Sequence, residues 1–236
     1  MVKVFFRLLM TVLATVSWCA SAQDSVPKQQ EFAPKSGNGR VVVLISGQTG
    51  MPNYATTAQQ IADAGFDVVL VDGNEFWIKD TGRAWNMLKG VITRAQAGPH
   101  ALPGKIGVVA YSLGGATALG YAARMPELVA TVVVGYPDTS FIKDPSEFIA
   151  KTKVPVLMFA GTADTYMNCC SIEKARQLAD AAKSSSPPML TLHEYNGVGH
   201  GFNMSTAARK DQAAGQDALE RTIAHLKQAL PAEGAK

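Results

Sequence analysis

The feature that most constrains the fold of this chain is the segment 108–115, VVAYSLGG, in which an apolar run ends at a serine flanked by small residues. An alanine-rich segment with helical character, residues 113–124, follows directly. A serine at a sharp strand-to-helix turn needs small residues two positions before and two positions after it, because strand and helix pass close together there. Ala110 and Gly114 meet this need. The segment therefore predicts a nucleophile elbow at Ser112, although a tight turn in another kind of α/β protein would also fit these residues alone.

Strand-like and helix-like segments alternate along the rest of the chain, which is long enough for one α/β domain. Six apolar runs have the length and continuity of buried parallel strands: residues 41–46, 67–71, 106–111, 129–134, 154–160 and 189–195. Helical patterns lie between them or follow them: residues 53–64, 82–97, 113–124, 172–183 and 206–230. This order predicts a mostly parallel central sheet of about six strands with helices on both faces. The stretch between residues 134 and 154 is short, so we expect either a minimal lid or an ordinary loop.

A serine hydroxyl becomes a good nucleophile only when a histidine takes its proton and an acid orients that histidine. His200 lies between Gly199 and Gly201 just past the last predicted strand, where the backbone can turn sharply and direct the ring toward the sheet edge. The other three histidines lie in a loop, a strand and a helix without further elements of the pattern: His100, His193 and His225. His200 is therefore the candidate base.

Two aspartates follow predicted strands and could orient the histidine. Asp164 ends a compact Gly-Thr-Ala-Asp turn one strand before the histidine strand, and Asp138 follows the preceding strand. The chain order serine, acid, histidine is that of the nucleophile-elbow hydrolases. We prefer Asp164 and retain Asp138 as the alternative acid.

Acyl transfer by a serine also needs two backbone N–H groups directed at the developing oxyanion. One is expected from Leu113, the residue after the serine, and the other from Gln48 in the glycine-rich loop 46–50. This loop lacks the Gly-Lys-Ser/Thr ending of a phosphate-binding loop, so nucleotide binding is not expected. No cofactor is indicated.

The first 22 residues are typical of an export signal. A basic start precedes an uncharged, mostly apolar stretch, residues 8–18, and Ala20-Ser21-Ala22 matches the small-residue cleavage pattern. We expect cleavage near Ala22, export to the periplasm or the medium, and no stable membrane anchor. Residues 23–39 are polar and contain proline and glycine, which predicts a flexible lead-in to a single domain over residues 40–236.

Signal cleavage would change both the charge and the cysteine content. It would leave 20 basic against 19 acidic residues, and with no basic cluster among aromatics the chain is not expected to bind nucleic acid. Cys19 would be lost, and bulky Trp18 before it argues against a lipid anchor there. The adjacent Cys169 and Cys170 could form a disulfide, pair between chains or stay reduced, and without a nearby histidine they do not resemble a metal site. The sequence does not indicate an oligomeric state.

With these motifs in place, the chain resembles the α/β-hydrolases, and among them the dienelactone hydrolase family. The resemblance covers about residues 40–230 and rests on Ala-Tyr-Ser-Leu-Gly-Gly, Gly-Thr-Ala-Asp and Gly-His-Gly-Phe. It also rests on the predicted sheet, which starts without the extra antiparallel strands of larger relatives. It implies an α/β-hydrolase fold and hydrolysis of a small carboxylic ester or lactone through a Ser-His-Asp triad and an acyl-enzyme.

The chain departs from that family at two positions. Dienelactone hydrolases proper use a cysteine nucleophile and carry a glutamate in the loop after the first strand, whereas this chain has Ser112 and Gly47. A thiolate mechanism is therefore not expected. The alternatives are a non-catalytic exported binding protein on the same fold, or an acyltransferase or peptidase that uses the same triad.

Overall fold

The computed structural model of the chain describes residues 26–35, 37–204, 207–208 and 211–231. The predicted export signal, residues 1–22, and its cleavage site at Ala22 lie outside the described residues, as does Cys19. Across the described ranges, no helix has the length and apolar character needed to cross a membrane.

A seven-stranded sheet forms the centre of the molecule. Its strands are β1 Gln29–Phe32, β2 Gly39–Ile45, β3 Asp67–Val71, β4 Ala101–Tyr111, β5 Val129–Gly135, β6 Val156–Gly161 and β7 Leu190–Tyr195. Their order across the sheet is β1-β3-β2-β4-β5-β6-β7, and every neighbouring pair is parallel except β1 with β3. The predicted mostly parallel α/β sheet is confirmed.

The seventh strand corrects the interpretation of residues 23–39 as a flexible lead-in. Gln29–Phe32 runs antiparallel to β3, with Gln29 opposite Val71 and Phe32 opposite Val68, and β2 already begins at Gly39. The prediction of about six strands missed β1, and the sheet does start with an antiparallel strand. The residues of β1 are mostly exposed, so its sequence lacks the apolar run that revealed the other strands.

In the part of the chain that the structure describes, six α-helices cover the two faces of the sheet. Their bounds are α1 Ala55–Asp63, α2 Thr81–Gln96, α3 Leu113–Gly120, α4 Pro145–Ala150, α5 Ile172–Ala182 and α6 Gln212–Ala229. Helices α2, α3, α4 and α5 bury their apolar residues against one face, and α1 and α6 pack on the other. The last helix starts later than the predicted 206, and α3 ends before 124, where a short 3-10 helix continues the chain.

The register of the central strands brings three loops to one edge of the sheet. Ile45 of β2 lies opposite Ala110 of β4, and Ala110 lies opposite Val134 of β5. β2 and β5 are almost entirely buried, and β4 is buried from Ile106 onward, because β-branched and aliphatic side chains fill both faces of the sheet there. The segments that follow the three strands therefore leave the sheet side by side. The connection from β5 to β6 holds one short helix, α4, and this fits either of the two expectations for this stretch.

Candidate active site

Ser112 occupies the sharp turn between β4 and α3. Its backbone has φ 51° and ψ −119°, a conformation that non-glycine residues rarely adopt. The turn needs glycine at position 114, because a Cβ there would clash with the carbonyl oxygen of Ile45 on the neighbouring strand, at 2.5 Å. The turn places the Ser112 side chain at the N-terminus of α3, at the carboxyl edge of the sheet, where it is mostly buried.

Hydrogen bonds join the predicted serine, histidine and acid in one series. The His200 Nδ1 atom lies 2.8 Å from Asp164 Oδ2, and His200 Nε2 lies 3.1 Å from Ser112 Oγ. The Asp164 side chain is 1% exposed and that of His200 is 14% exposed. A carboxylate at Nδ1 favours the tautomer with its proton on that nitrogen, which leaves the Nε2 lone pair facing the serine hydroxyl.

The structure distinguishes between the two candidate acids. Asp164 Oδ1 accepts a hydrogen bond from the Tyr166 backbone N–H at 3.0 Å, which orients the carboxylate toward His200. Asp138 Oδ1 instead accepts bonds from the backbone N–H and the hydroxyl of Ser140. The alternative of Asp138 as the partner of the histidine is therefore not supported by this geometry. Its backbone N–H does approach the site, since it donates to the Ser112 carbonyl at 2.9 Å.

The orientations of the two predicted oxyanion donors are set by neighbouring carbonyl groups. In a trans peptide the C=O and the following N–H point in opposite directions. The Ser112 carbonyl accepts a hydrogen bond from the Ala116 N–H, so the Leu113 N–H points out of the helix. The Gly47 carbonyl accepts a hydrogen bond from the Gly50 N–H at 3.0 Å, so the Gln48 N–H points away from that turn. Within the described ranges neither N–H has a protein acceptor.

Two contacts from the segment after β3 hold the loop that contains Gln48. The backbone N–H of Gly73 donates to the buried Ser46 Oγ at 3.0 Å, and Asn74 Nδ2 donates to the Gln48 carbonyl at 3.2 Å. The loop also passes directly beside the elbow, because a Cβ on Gly47 would lie 3.1 Å from Ser112 Cβ. Sequence reasoning missed Gly73 and Asn74, since nothing in their local pattern indicates contact with a loop more than 20 residues away.

Two tyrosine rings hold the His200 imidazole between them. The Tyr166 ring stacks on it with centroids 4.4 Å apart, and the Tyr136 ring meets it edge-on at 4.5 Å. Tyr136 is fully buried and its hydroxyl donates to Asn203 Oδ1. Burial raises the pKa of Tyr136 well above its ordinary value, so the hydroxyl stays protonated and remains a donor. Asn203 was not predicted as a site residue.

The adjacent cysteines lie beside the histidine. Cys169 and Cys170 are joined by a disulfide, and their sulfur atoms and a ring nitrogen of His200 all lie within 4.8 Å of one another. The Cys169 carbonyl accepts from the backbone N–H of Thr139 at 2.9 Å, which ties this segment to the loop after β5. The sequence argument against a metal site assumed no nearby histidine. The fold supplies one, but each sulfur is bonded to the other rather than being a free thiolate ligand.

The remaining histidines lie away from this series. His225 on α6 contacts Thr131 Oγ1 at 2.7 Å, and His193 on β7 lies 3.8 Å from Asp217. His100 is exposed near the start of β4. Of the four histidines, only His200 contacts Ser112.

Comparison with known proteins relates the chain to one family. The model of the dienelactone hydrolase family matches residues 73–230. Carboxymethylenebutenolidase 1 of Cupriavidus pinatubonensis (strain JMP 134 / LMG 1197) is 36% identical over 138 residues, which are 58% of this chain and 54% of that protein. The match therefore spans about half the length of that curated relative.

Solved structures of esterases share the fold. Thermogutta terrifontis esterase 2 superposes with a TM-score of 0.67 at 17% identity, over 86% of this chain and 91% of that chain. Est1E from Butyrivibrio proteoclasticus superposes with a TM-score of 0.63 at 14% identity, over 83% of this chain and 93% of that chain. At these identities the likeness shows a common α/β-hydrolase fold.

Proposed function

Because this chain belongs to the dienelactone hydrolase family, we propose that it is a serine hydrolase that cleaves a carboxylic ester or lactone. The observation that carries the proposal is the hydrogen-bonded series from Asp164 through His200 to Ser112, at a strained turn on the carboxyl edge of the sheet. No cofactor or metal is needed for this chemistry.

In the first half of the reaction, Ser112 Oγ attacks the carbonyl carbon of the substrate while its proton passes to His200 Nε2. Asp164 stabilises the resulting imidazolium through Nδ1. The N–H groups of Leu113 and Gln48 stabilise the tetrahedral oxyanion. When the tetrahedral species collapses, the bond to the leaving oxygen breaks, His200 returns the proton to that oxygen, and an acyl-enzyme remains on Ser112.

In the second half, water replaces the alcohol. His200 removes a proton from the water, the hydroxide attacks the acyl carbon, and the same N–H groups stabilise the second oxyanion. The bond to Ser112 then breaks, and the proton on Nε2 returns to the serine oxygen. The products are the free acid and, from a lactone, the corresponding hydroxy acid.

The structure gives a steric reason why Gly47 stands where dienelactone hydrolases proper carry a glutamate. A Cβ at this position would collide with the hydroxyl of Tyr54 and contact Ser112 Cβ at 3.1 Å. The buried Tyr54 ring thus fills the space in which a longer side chain would begin. This supports a serine reaction without the glutamate that accompanies the cysteine nucleophile in dienelactone hydrolases proper.

The experiment is intact-protein mass spectrometry after treatment with a fluorophosphonate, with hydrolysis of short p-nitrophenyl esters and simple lactones measured in parallel. An organophosphorus probe suits the fold, because the Thermogutta terrifontis enzyme has been captured phosphoramylated by tabun. We expect one adduct on the wild type and none on Ser112→Ala. Loss of the serine should lower turnover by several orders of magnitude. Ser140→Ala, which changes a serine beside the unused Asp138, is the matched control and should keep the adduct.

Each alternative function predicts a different result. A folded wild-type protein that neither forms an adduct nor turns over esters would contradict the hydrolase proposal and favour a binding protein. Transfer of the acyl group to an added alcohol in preference to water would indicate an acyltransferase, and cleavage of a peptide substrate would indicate a peptidase.

We also propose that the chain is exported, on the strength of the basic start, the apolar stretch and the small residues before Gln23. Expression with the leader intact, followed by N-terminal sequencing of the protein released from the periplasm or the medium, tests this. A mature N-terminus at Gln23 is expected.

A further inference from the structure

A groove that does not include the serine site runs along α3. It has a volume of about 1080 Å³ and lies between the start of α2, the outer side of α3 and helix α4. Neither Ser112 nor His200 lines it. On α3 it is lined by residues that include Ala116 and Thr117, one turn beyond the start of the helix.

The walls of the groove are aromatic and partly open to solvent. Six rings line it: Phe76, Trp77, Trp85, Tyr121, Phe141 and Phe148. Trp77 is 57% exposed and Phe141 is 39% exposed, which is unusual for large apolar side chains. Exposed aromatic side chains around one concavity are typical of a surface that binds an apolar group.

The groove also contains a cation, Arg124, for which the described residues provide no anionic partner. The Arg124 guanidinium carbon lies 5.1 Å from the centre of the Phe148 ring, and its buried Nε atom has no hydrogen-bond partner among the described residues. Burial lowers the pKa of Arg124, as expected for a cation that has lost water without gaining a carboxylate. A partly desolvated guanidinium without a partner is unfavourable for the protein alone.

The two acidic residues that border the groove are already engaged. The Asp144 carboxylate accepts from the backbone N–H groups of Ser146 and Glu147 at the start of α4. The Glu147 carboxylate pairs with Lys151 at 2.6 Å. The bonds of these two carboxylates are therefore to groups other than Arg124. Lys79 and Lys143 add positive charge to the lining of the groove.

We propose that this groove binds an amphipathic organic anion, with an aliphatic or aromatic body against the ring walls and a carboxylate head paired with Arg124. A carboxylate can accept two parallel N–H bonds from a guanidinium and would neutralise the charge of Arg124, which lines the groove. The site goes beyond the proposed hydrolysis, because it shares no residue with the serine, histidine and acid series.

Tryptophan fluorescence can report on this groove directly. The chain has three tryptophans, one of which, Trp18, lies in the predicted leader. In the protein without residues 1–22, both remaining tryptophans, Trp77 and Trp85, line the groove. A brominated ligand quenches tryptophan fluorescence only at short range, so ω-bromoundecanoate is the probe. The uncharged ω-bromoundecanol is its matched control. Both are used below the concentrations at which they aggregate.

We expect saturable quenching by the carboxylate and about tenfold weaker binding of the alcohol. Arg124→Met should lower the carboxylate affinity by about tenfold, about 1.4 kcal/mol, and leave the alcohol affinity unchanged. Arg94→Met, an exposed arginine at the far end of α2, should bind like the wild type. The melting temperature of Arg124→Met should equal or exceed that of the wild type, because the substitution removes an unpaired, partly buried charge.

Protein with a phosphonylated Ser112 should bind the carboxylate as tightly as unlabelled protein, which separates this site from the serine site. Equal affinity for acid and alcohol, or an unchanged Arg124→Met variant, would overturn the proposal. So would quenching that disappears on phosphonylation, or concentration-dependent dimerisation that masks the groove, since a second copy of the chain would then be its occupant.

Discussion

Substitution of Gly114 by alanine tests whether the close passage of strand and helix creates the reactive serine. A Cβ at this position would lie 2.5 Å from the Ile45 carbonyl oxygen and 2.9 Å from its carbonyl carbon, where ordinary contact begins at 3.4 Å. The Ser46 carbonyl oxygen would lie closer still, so the start of α3 must move by about 1 Å, because backbone atoms beside a central strand cannot yield as a flexible side chain can. That movement would displace both Ser112 and the Leu113 N–H.

The expected effect is larger on activity than on stability. Overpacking of this kind typically costs about 1–3 kcal/mol, and each kcal/mol lowers the melting temperature by about 2–4 °C in a domain of this size. A displacement near 1 Å at the reacting atoms can lower the rate roughly 100-fold. We therefore expect Gly114→Ala to remain folded with kcat/KM for a p-nitrophenyl ester, and the fluorophosphonate labelling rate, reduced by about that factor.

Gly120 at the end of the same helix provides the matched control. A Cβ there would meet nothing within 4 Å, so Gly120→Ala should keep full activity. Its stability should be unchanged or raised by up to about 1 kcal/mol, because alanine favours the helical conformation more than glycine does. If Gly114→Ala labels, turns over and melts like the wild type, the steric account of the elbow is wrong.

Three further perturbations address other parts of the structure. Asp164→Ala should reduce ester turnover by several orders of magnitude. Asp138→Ala, which loses only its two local bonds from Ser140, should change turnover less than threefold. The opposite ranking of these two variants would reassign the acid. Treatment with a dithiol should reduce the Cys169–Cys170 bond and raise the mass by about 2 Da. It should also lower turnover, because these cysteines lie beside His200. Unchanged mass and activity would contradict this. Burial lowers the pKa of His225, so the unfolded state binds its proton first as the pH falls below about 6.5. The free energy of unfolding should therefore decrease toward acid, by at most about 1.4 kcal/mol per pH unit from this group, and chemical denaturation of His225→Gln should show a correspondingly smaller slope.

The sequence alone determined the parts of this protein that depend on neighbouring residues. The parallel strands appear as apolar runs, and the elbow appears as Ser112 with Ala110 and Gly114 at the required spacing, because both are set by local sterics. The candidates His200 and Asp164 could be chosen from their places after predicted strands, since the carboxyl ends of parallel strands meet at one edge.

Only the tertiary structure decided which of these groups meet and what surrounds them. The bonds from His200 join residues 36 and 88 positions away in the chain. The sequence favoured Asp164 as the acid but left Asp138 as an alternative, and only the contact with His200 distinguishes them. The strand β1 escaped prediction because it lies exposed at the sheet edge and is defined by its pairing with β3. That Arg124 Nε has no hydrogen-bond partner among the described residues also follows from the tertiary structure. Whether a charge is buried, and whether an opposite charge reaches it, depends on segments that are distant in sequence.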